Sequence, residues 1–181
     1  MLTTSFATRD IPRGDQFEAW RYWYDSVFET TLEGAAEHGF EATNSNWTVG
    51  GLTVSEVTSP PVAVARSRSF IRRNPVDHWV VTLSGQSSSE VMARGERFTV
   101  QAGVPFLLSL GEELRIGRDR RDDSMQILLS RESFGSSAHL LDAGVGVSMT
   151  GPQGMLLAEF LLMLRKNAPT LTAEDASHLK S

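Results

Sequence analysis

The chain contains no cysteine, which excludes disulfides and thiolate metal sites together and fits a reducing cytoplasm. Its four histidines, His38, His78, His139 and His178, are scattered, with no HxH or HExxH pair. A metal ion needs ligands that converge, so no metal and no other cofactor is expected. No apolar run approaches the ~20 residues of a membrane span; the longest, 155–164, is interrupted by Glu159. The first ten residues lack a basic stretch followed by an apolar core, so no secretory signal is expected.

Positive charge is also short, with 17 Lys and Arg against 22 Asp and Glu and a net charge of -5. Phosphate contacts dominate nucleic-acid affinity, so this stretch alone is not expected to bind DNA. Catalytic signatures are missing too. Residues 146–151 are one residue too long for a GxSxG nucleophile elbow. Gly144-Val145-Gly146 begins like a dinucleotide fingerprint, but Met149 stands where the third glycine belongs. The carboxylate pairs Glu112-Glu113 and Asp122-Asp123 fall in expected hairpin turns, where adjacent side chains are solvated.

What remains is an ordinary globular composition over 181 residues, 40% hydrophobic and 22% charged, enough for one packed domain plus an appendage. Residues 15–30 carry helical spacing, with Asp15 as N-cap and Glu18 three residues on. Phe17, Trp20, Tyr24, Val27 and Phe28 share one face of that helix, a pattern that core packing explains better than a ligand site.

From 47 to 130 the signal becomes short and strand-like, with runs at 47–57, 62–71, 79–84, 91–93, 97–101, 106–110, 114–117 and 125–129. Pro60-Pro61, Asn74-Pro75, Gly85, Arg94-Gly95, Gly103 and Gly111 separate most of them. Many short strands without helical crossovers predict an antiparallel sandwich or barrel, not a dinucleotide-binding sheet.

Residues 131–181 return to helix. One segment is expected at 132–141, and another starts with Pro152 in its first turn and is apolar almost all round over 155–164. Asn167-Ala168-Pro169 ends it. Thr172 followed by Asp175 predicts a further helix that reaches Ser181 without a C-cap, as expected of a chain cut before a further domain. Met155, Leu156, Leu161, Leu162 and Leu164 spread around the helix at 100° per residue and cannot all face one barrel. They are the candidate dimerisation residues, a second copy of the chain covering what the barrel does not.

Two arginines stand out. Val62, Val64, Arg66, Arg68 and Phe70 share one face of the 62–71 run by the period of two. Arg66 and Arg68 would then point into a concave interior and grip a ligand carboxylate in a two-pronged hydrogen bond. The alternative is an edge-strand arginine, or an ion pair with Glu56 or Asp77. Trp79 would supply an apolar wall to the same interior.

The ordered set of motifs carries a resemblance. A helix with Phe17 and Trp20 precedes Gly51-Leu52-Thr53-Val54-Ser55, then Val64-Ala65-Arg66-Ser67 and Asp77-His78-Trp79-Val80-Val81-Thr82-Leu83-Ser84-Gly85. Gly95-Glu96-Arg97-Phe98, Ala102-Gly103 and Met125-Gln126-Ile127-Leu128-Leu129-Ser130-Arg131-Glu132 follow. This order resembles the N-terminal sensing domain of bacterial AraC-type transcription regulators over nearly the whole chain. It departs at Ser130, where a proline often precedes the arginine, and at Val104-Pro105, where an acidic residue commonly follows the glycine.

The resemblance implies a mainly β, cupin-like antiparallel barrel (jelly roll) that binds a small effector, anionic if the arginines grip it. It also implies dimerising helices, a homodimer, and DNA contact only through a downstream helix-turn-helix domain. The expected organisation is one sensing domain over 1–181: an N-terminal helix at 15–30, the barrel at 47–130 and a helical dimerisation segment at 131–181. The expected setting is cytoplasmic, with no membrane contact and no enzymatic activity. Two alternatives share the barrel: a metal-free cupin isomerase or lyase, and a purely structural dimerisation module with a filled interior.

Overall fold

The computed structural model describes residues 2–34, 39–49, 52–167 and 170. Among them, eleven strands form two antiparallel sheets facing each other as a cupin-like jelly roll. The strands are β1 (Leu2–Ala7), β2 (Glu29–Leu32), β3 (Thr43–Val49), β4 (Leu52–Ser59), β5 (Val62–Arg66), β6 (His78–Ser84), β7 (Ser89–Ala93), β8 (Glu96–Val100), β9 (Phe106–Ser109), β10 (Leu114–Gly117) and β11 (Asp122–Ser130). The larger sheet runs β1-β3-β4-β11-β6-β9, and the smaller β2-β5-β10-β7-β8. Helices α1 (Gln16–Tyr24), α2 (Arg68–Arg73), α3 (Ala138–Gly144) and α4 (Pro152–Asn167) flank them, with a 3-10 segment at Arg131–Ser137.

Several boundaries differ from expectation for local reasons. The first helix ends at Tyr24, and the chain then turns into β2, whose Glu29–Leu32 pair with Ala65–Val62 of β5. Asp15 holds the N-cap position, but its side chain makes no capping bond. The 47–57 run is the inner part of a hairpin, β3 pairing with β4 from Thr43↔Thr58 to Val49↔Leu52. The 62–71 run breaks at Ser67, whose side chain accepts from the Phe70 N–H and caps α2. The helix expected from Thr172 lies outside the described residues.

The larger sheet has an apolar back. Trp47, Val54, Trp79, Val81, Leu83, Leu107, Met125 and Ile127 form one buried cluster with Val145, Ala158, Leu161 and Leu164. Helix α4 therefore lies on this back, through the residues of its narrow inner face, Gly154, Ala158, Leu161 and Leu164. Arg165 extends the contact by donating to Glu56 Oε1 at 2.5 Å.

Gly154 is required where α4 passes the segment that leads into it, since a Cβ there would sit on the Met149 carbonyl and Cβ. Alanine ordinarily favours a helix interior over glycine by about 1 kcal/mol. Here Gly154→Ala is expected to destabilise by about 1–3 kcal/mol, because overpacking against backbone outweighs propensity. Urea unfolding checks the sign: a more stable alanine variant would mean that α4 packs less closely on Met149.

Candidate functional site

By the period of two, the larger sheet's concave face carries the residues alternate to its apolar back, and many are polar: Asn44, Asn46, Ser55, Gln126, Thr82 and Ser84. A cavity of about 320 Å³ opens against this face. Asn44, Asn46, Thr48, Thr53, Ser55 and Gln126 form its polar wall, joined by Thr4. Trp23, Tyr24, Val27, Phe28, Val80, Leu110 and Leu128 form its apolar wall. A few placed polar groups set against an aromatic surface are the make-up of a small-molecule pocket.

Part of the polar wall is internally bonded. Trp23 Nε1 donates to Asn44 Oδ1 at 2.9 Å, and Asn44 Nδ2 donates to Ser55 Oγ at 2.9 Å. Asn46 Nδ2 donates to Thr4 Oγ1 at 3.0 Å and to Asn44 Oδ1 at 2.9 Å. Trp23 also stacks on Phe6 at 4.9 Å between centroids. These bonds hold the wall in place before any ligand arrives.

The sequence-based ligand candidates stand elsewhere. Arg66 is buried, with 1% of its surface exposed, but it does not line the cavity. Its Nε donates to Leu110 O at 2.6 Å, its Nη2 to Asn74 O at 2.7 Å, and its Nη1 to Val27 O. The guanidinium carbon also lies 5.3 Å from the Phe70 ring centroid. Burial lowers the Arg66 pKa, and Glu29 opposes the shift. Arg66 is thus a staple among three carbonyls, two of them on residues of the cavity wall.

Arg68 is corrected outright, because the strand has ended before it. It sits at the start of α2, largely exposed, and donates to Glu113 Oε2 at 2.6 Å. Neither arginine pairs with Glu56 or Asp77, which are bonded to Arg165 and Arg131. Trp79 is fully buried, but on the apolar back of the sheet, with the cavity on the opposite face.

Trp79 instead joins barrel to helices. Its Nε1 donates to Asp142 Oδ1 at 3.1 Å, and the Arg131 guanidinium carbon lies 4.2 Å from the ring centroid. Arg131 bonds both Asp142 oxygens at 2.8 Å and Asp77 at 2.6 Å. The bonds from Arg131, foremost, and from Trp79 hold the Asp142 carboxyl below the usual carboxylate range.

Asp122 also departs from the solvated turn expected of it. Its Oδ2 faces Arg118 Nε at 3.1 Å with both side chains buried, and its Oδ1 accepts from the Gln86 and Ser87 N–H groups. Arg118 further donates to Ser84 Oγ at 3.2 Å. Burial lowers the Arg118 pKa, and Asp122 opposes that. Among the described residues, no group of three or more His, Asp or Glu gathers as a metal site would require.

Sequence reading missed Trp23, Asn44, Asn46, Ser55 and Gln126 as site residues. The available signal was polarity on one strand face: Asn44 and Asn46 alternate in β3, and Gln126 is a lone amide within Met125-Gln126-Ile127-Leu128-Leu129.

The dimerisation candidates divide. Leu161 and Leu164 are buried against the sheet, while Met155, Leu156 and Leu162 are exposed, together with Phe160 and Met163.

The crystal structure of the AraC-like transcriptional activator CuxR is similar to this one, with a TM-score of 0.86 at 26% identity. The likeness covers 98% of this chain and 66% of that one, so the chain spans under two thirds of the activator's length. A putative ethanolamine utilization protein from Salmonella typhimurium reaches a TM-score of 0.38 at 10% identity, over 54% of this chain and 75% of that one. An RmlC-like cupin from Shewanella frigidimarina reaches 0.38 at 13%, over 59% and 88%. At those scores neither adds to the strand pairing described above. No curated protein matches the chain. The model of the AraC-binding-like domain matches residues 20–180, and the chain belongs to that family.

Proposed function

We propose that this chain is the effector-sensing and dimerisation domain of an AraC-type transcription regulator, with the cavity against the concave face of the larger sheet as the effector site. The observation that carries this is the polar wall of that cavity. A barrel serving only as a spacer gains most by filling its interior with apolar side chains, whereas here amides and hydroxyls border about 320 Å³ of space. An isomerase or lyase on the same barrel would need an acid and a base converging on the cavity. Among the described residues, neither carboxylate nor imidazole is in its lining. DNA contact falls to a helix-turn-helix outside this chain, in keeping with the net charge of -5 and the greater length of the activator it resembles. Such a regulator works in the cytoplasm, and no described helix is long and apolar enough to cross a membrane.

Leu128→Trp tests the site, because it fills the cavity with an apolar ring while leaving the polar wall in place. In the full-length regulator, the response of a reporter promoter to its inducing condition is expected to be lost while promoter binding persists. An unchanged response would move the effector site elsewhere.

The homodimer reading rests on the outward face of α4. Met155 and Leu156 are 67% and 72% exposed, and Phe160, Leu162 and Met163 extend the patch. Exposed apolar side chains gathered on one side of a helix, here around the exposed Glu159, suit an isologous contact with the same face of a second copy. Leu161 and Leu164 support that contact from beneath, without taking part in it.

A further inference from the structure

Strand register aligns one polar side chain from each of five neighbouring strands across the concave face. Asn46 stands opposite Thr4 and Ser55, and Gln126 stands opposite Ser55 and Thr82. All but Thr82 line the cavity. Burying such groups is costly unless each finds a hydrogen bond.

Several do not. The buried Thr82 Oγ1 and Tyr24 Oη have no partner, and no described residue bonds to the half-buried Gln126 amide or to Asn46 Oδ1 on the cavity wall. Tyr24 is on the cavity wall, and burial raises its phenol pKa, so it stays protonated and able to donate. Among the described residues, no Asp, Glu, Lys, Arg or His lines the cavity. Of the nearby cations, Arg66 is committed to three carbonyls, and Arg118, whose Nε faces Asp122 and whose Nη2 has no partner, stands outside the lining.

We propose that the cavity selects an uncharged ligand with one apolar face and one polar edge that both donates and accepts hydrogen bonds. The statement rests on the reading of this cavity as the effector site. Gln126 reads the edge, since its amide offers two donors and an acceptor, and Asn46 Oδ1 adds an acceptor beside it. The apolar face lies against Tyr24, Phe28 and Leu128. A carboxylate would shed its hydration here and meet no cation among the described lining residues, whereas an amide or hydroxyl-bearing edge finds both complements. This replaces the anionic effector that the two arginines suggested.

Acetamide and acetate have nearly the same shape and differ in charge, so they isolate the point. Each is titrated into the isotope-labelled 181-residue chain at matched ionic strength while the Gln126 and Asn46 side-chain amide resonances are followed. Gln126→Leu and Asn46→Ser spectra assign those signals. Acetamide is expected to move both resonances saturably, with acetate weaker by about tenfold or more, a difference of about 1.4 kcal/mol. Acetate binding as well as acetamide overturns the proposal, and so does a failure of acetamide to move the two amides. Loss of response in Leu128→Trp together with acetate binding would keep the effector site and discard the uncharged ligand. Acetamide binding with an intact Leu128→Trp response would do the reverse.

Discussion

Arg66→Ala is expected to cost about 3–5 kcal/mol of stability in the absence of any ligand. Hydrogen bonds to a charged group contribute about 1.5–3 kcal/mol each. Here the carbonyls of Val27, Asn74 and Leu110 would lose a donor together, and each unsatisfied buried acceptor carries its own penalty. For a domain of this size the melting temperature should fall by roughly 10 °C. Arg66→Lys should recover only part of the loss, because a single ammonium cannot reproduce a planar fork reaching three separate carbonyls. Were Arg66 a ligand anchor instead, the alanine variant would melt close to the parent protein and lose only affinity. A melting curve without ligand separates the two. Since Val27 and Leu110 belong to the cavity wall, any fall in effector affinity in Arg66→Ala would follow from a displaced wall.

Leu161→Glu should be the more damaging change, unfolding the contact between α4 and the sheet. Leu161 is 0% exposed within the cluster that includes Trp79, Ile127 and Leu164. Truncation of such a leucine to alanine alone costs about 2–5 kcal/mol, and an unpaired buried carboxylate costs more. This substitution therefore reports on folding, not on dimerisation. Leu156→Glu, at a position 72% exposed, should leave the melting temperature within about 1 kcal/mol equivalent of the parent and lower the sedimentation coefficient from dimer to monomer. A Leu156→Glu variant that sediments with the parent as a dimer would take the interface away from this face of α4. A stable Leu161→Glu variant would contradict the docking of that helix.

The sequence by itself determined much of the local order. The jelly roll was legible because short alternating runs separated by glycine and proline leave few other architectures. β6, β9 and β10 lie within a residue of their expected bounds, and Pro152 opens α4 as its fixed φ suits. Alternation also put Val62, Val64 and Arg66 on one face, and that face is the inner one.

Tertiary structure alone decided what each face meets. Period two separates the sides of a strand but does not say which side is concave, so Trp79 could be placed on a face and not in an environment. The apolar side of the larger sheet turned outward because α4 supplies the surface that buries it. That left the polar side, with Gln126, Asn46 and Ser55, to border the cavity. Arg66 became a staple for the same kind of reason: the carbonyls that satisfy it come from positions 27, 74 and 110, far apart in the chain and brought together only by the closed barrel. Arg118 and Asp122 lie four positions apart in the chain, yet the polar partners of the pair are Ser84 and the 86–87 backbone. Hydrophobic periodicity is a property of neighbours along the chain, whereas the satisfaction of buried polar groups is a property of neighbours in space, and the candidate site is built from the second.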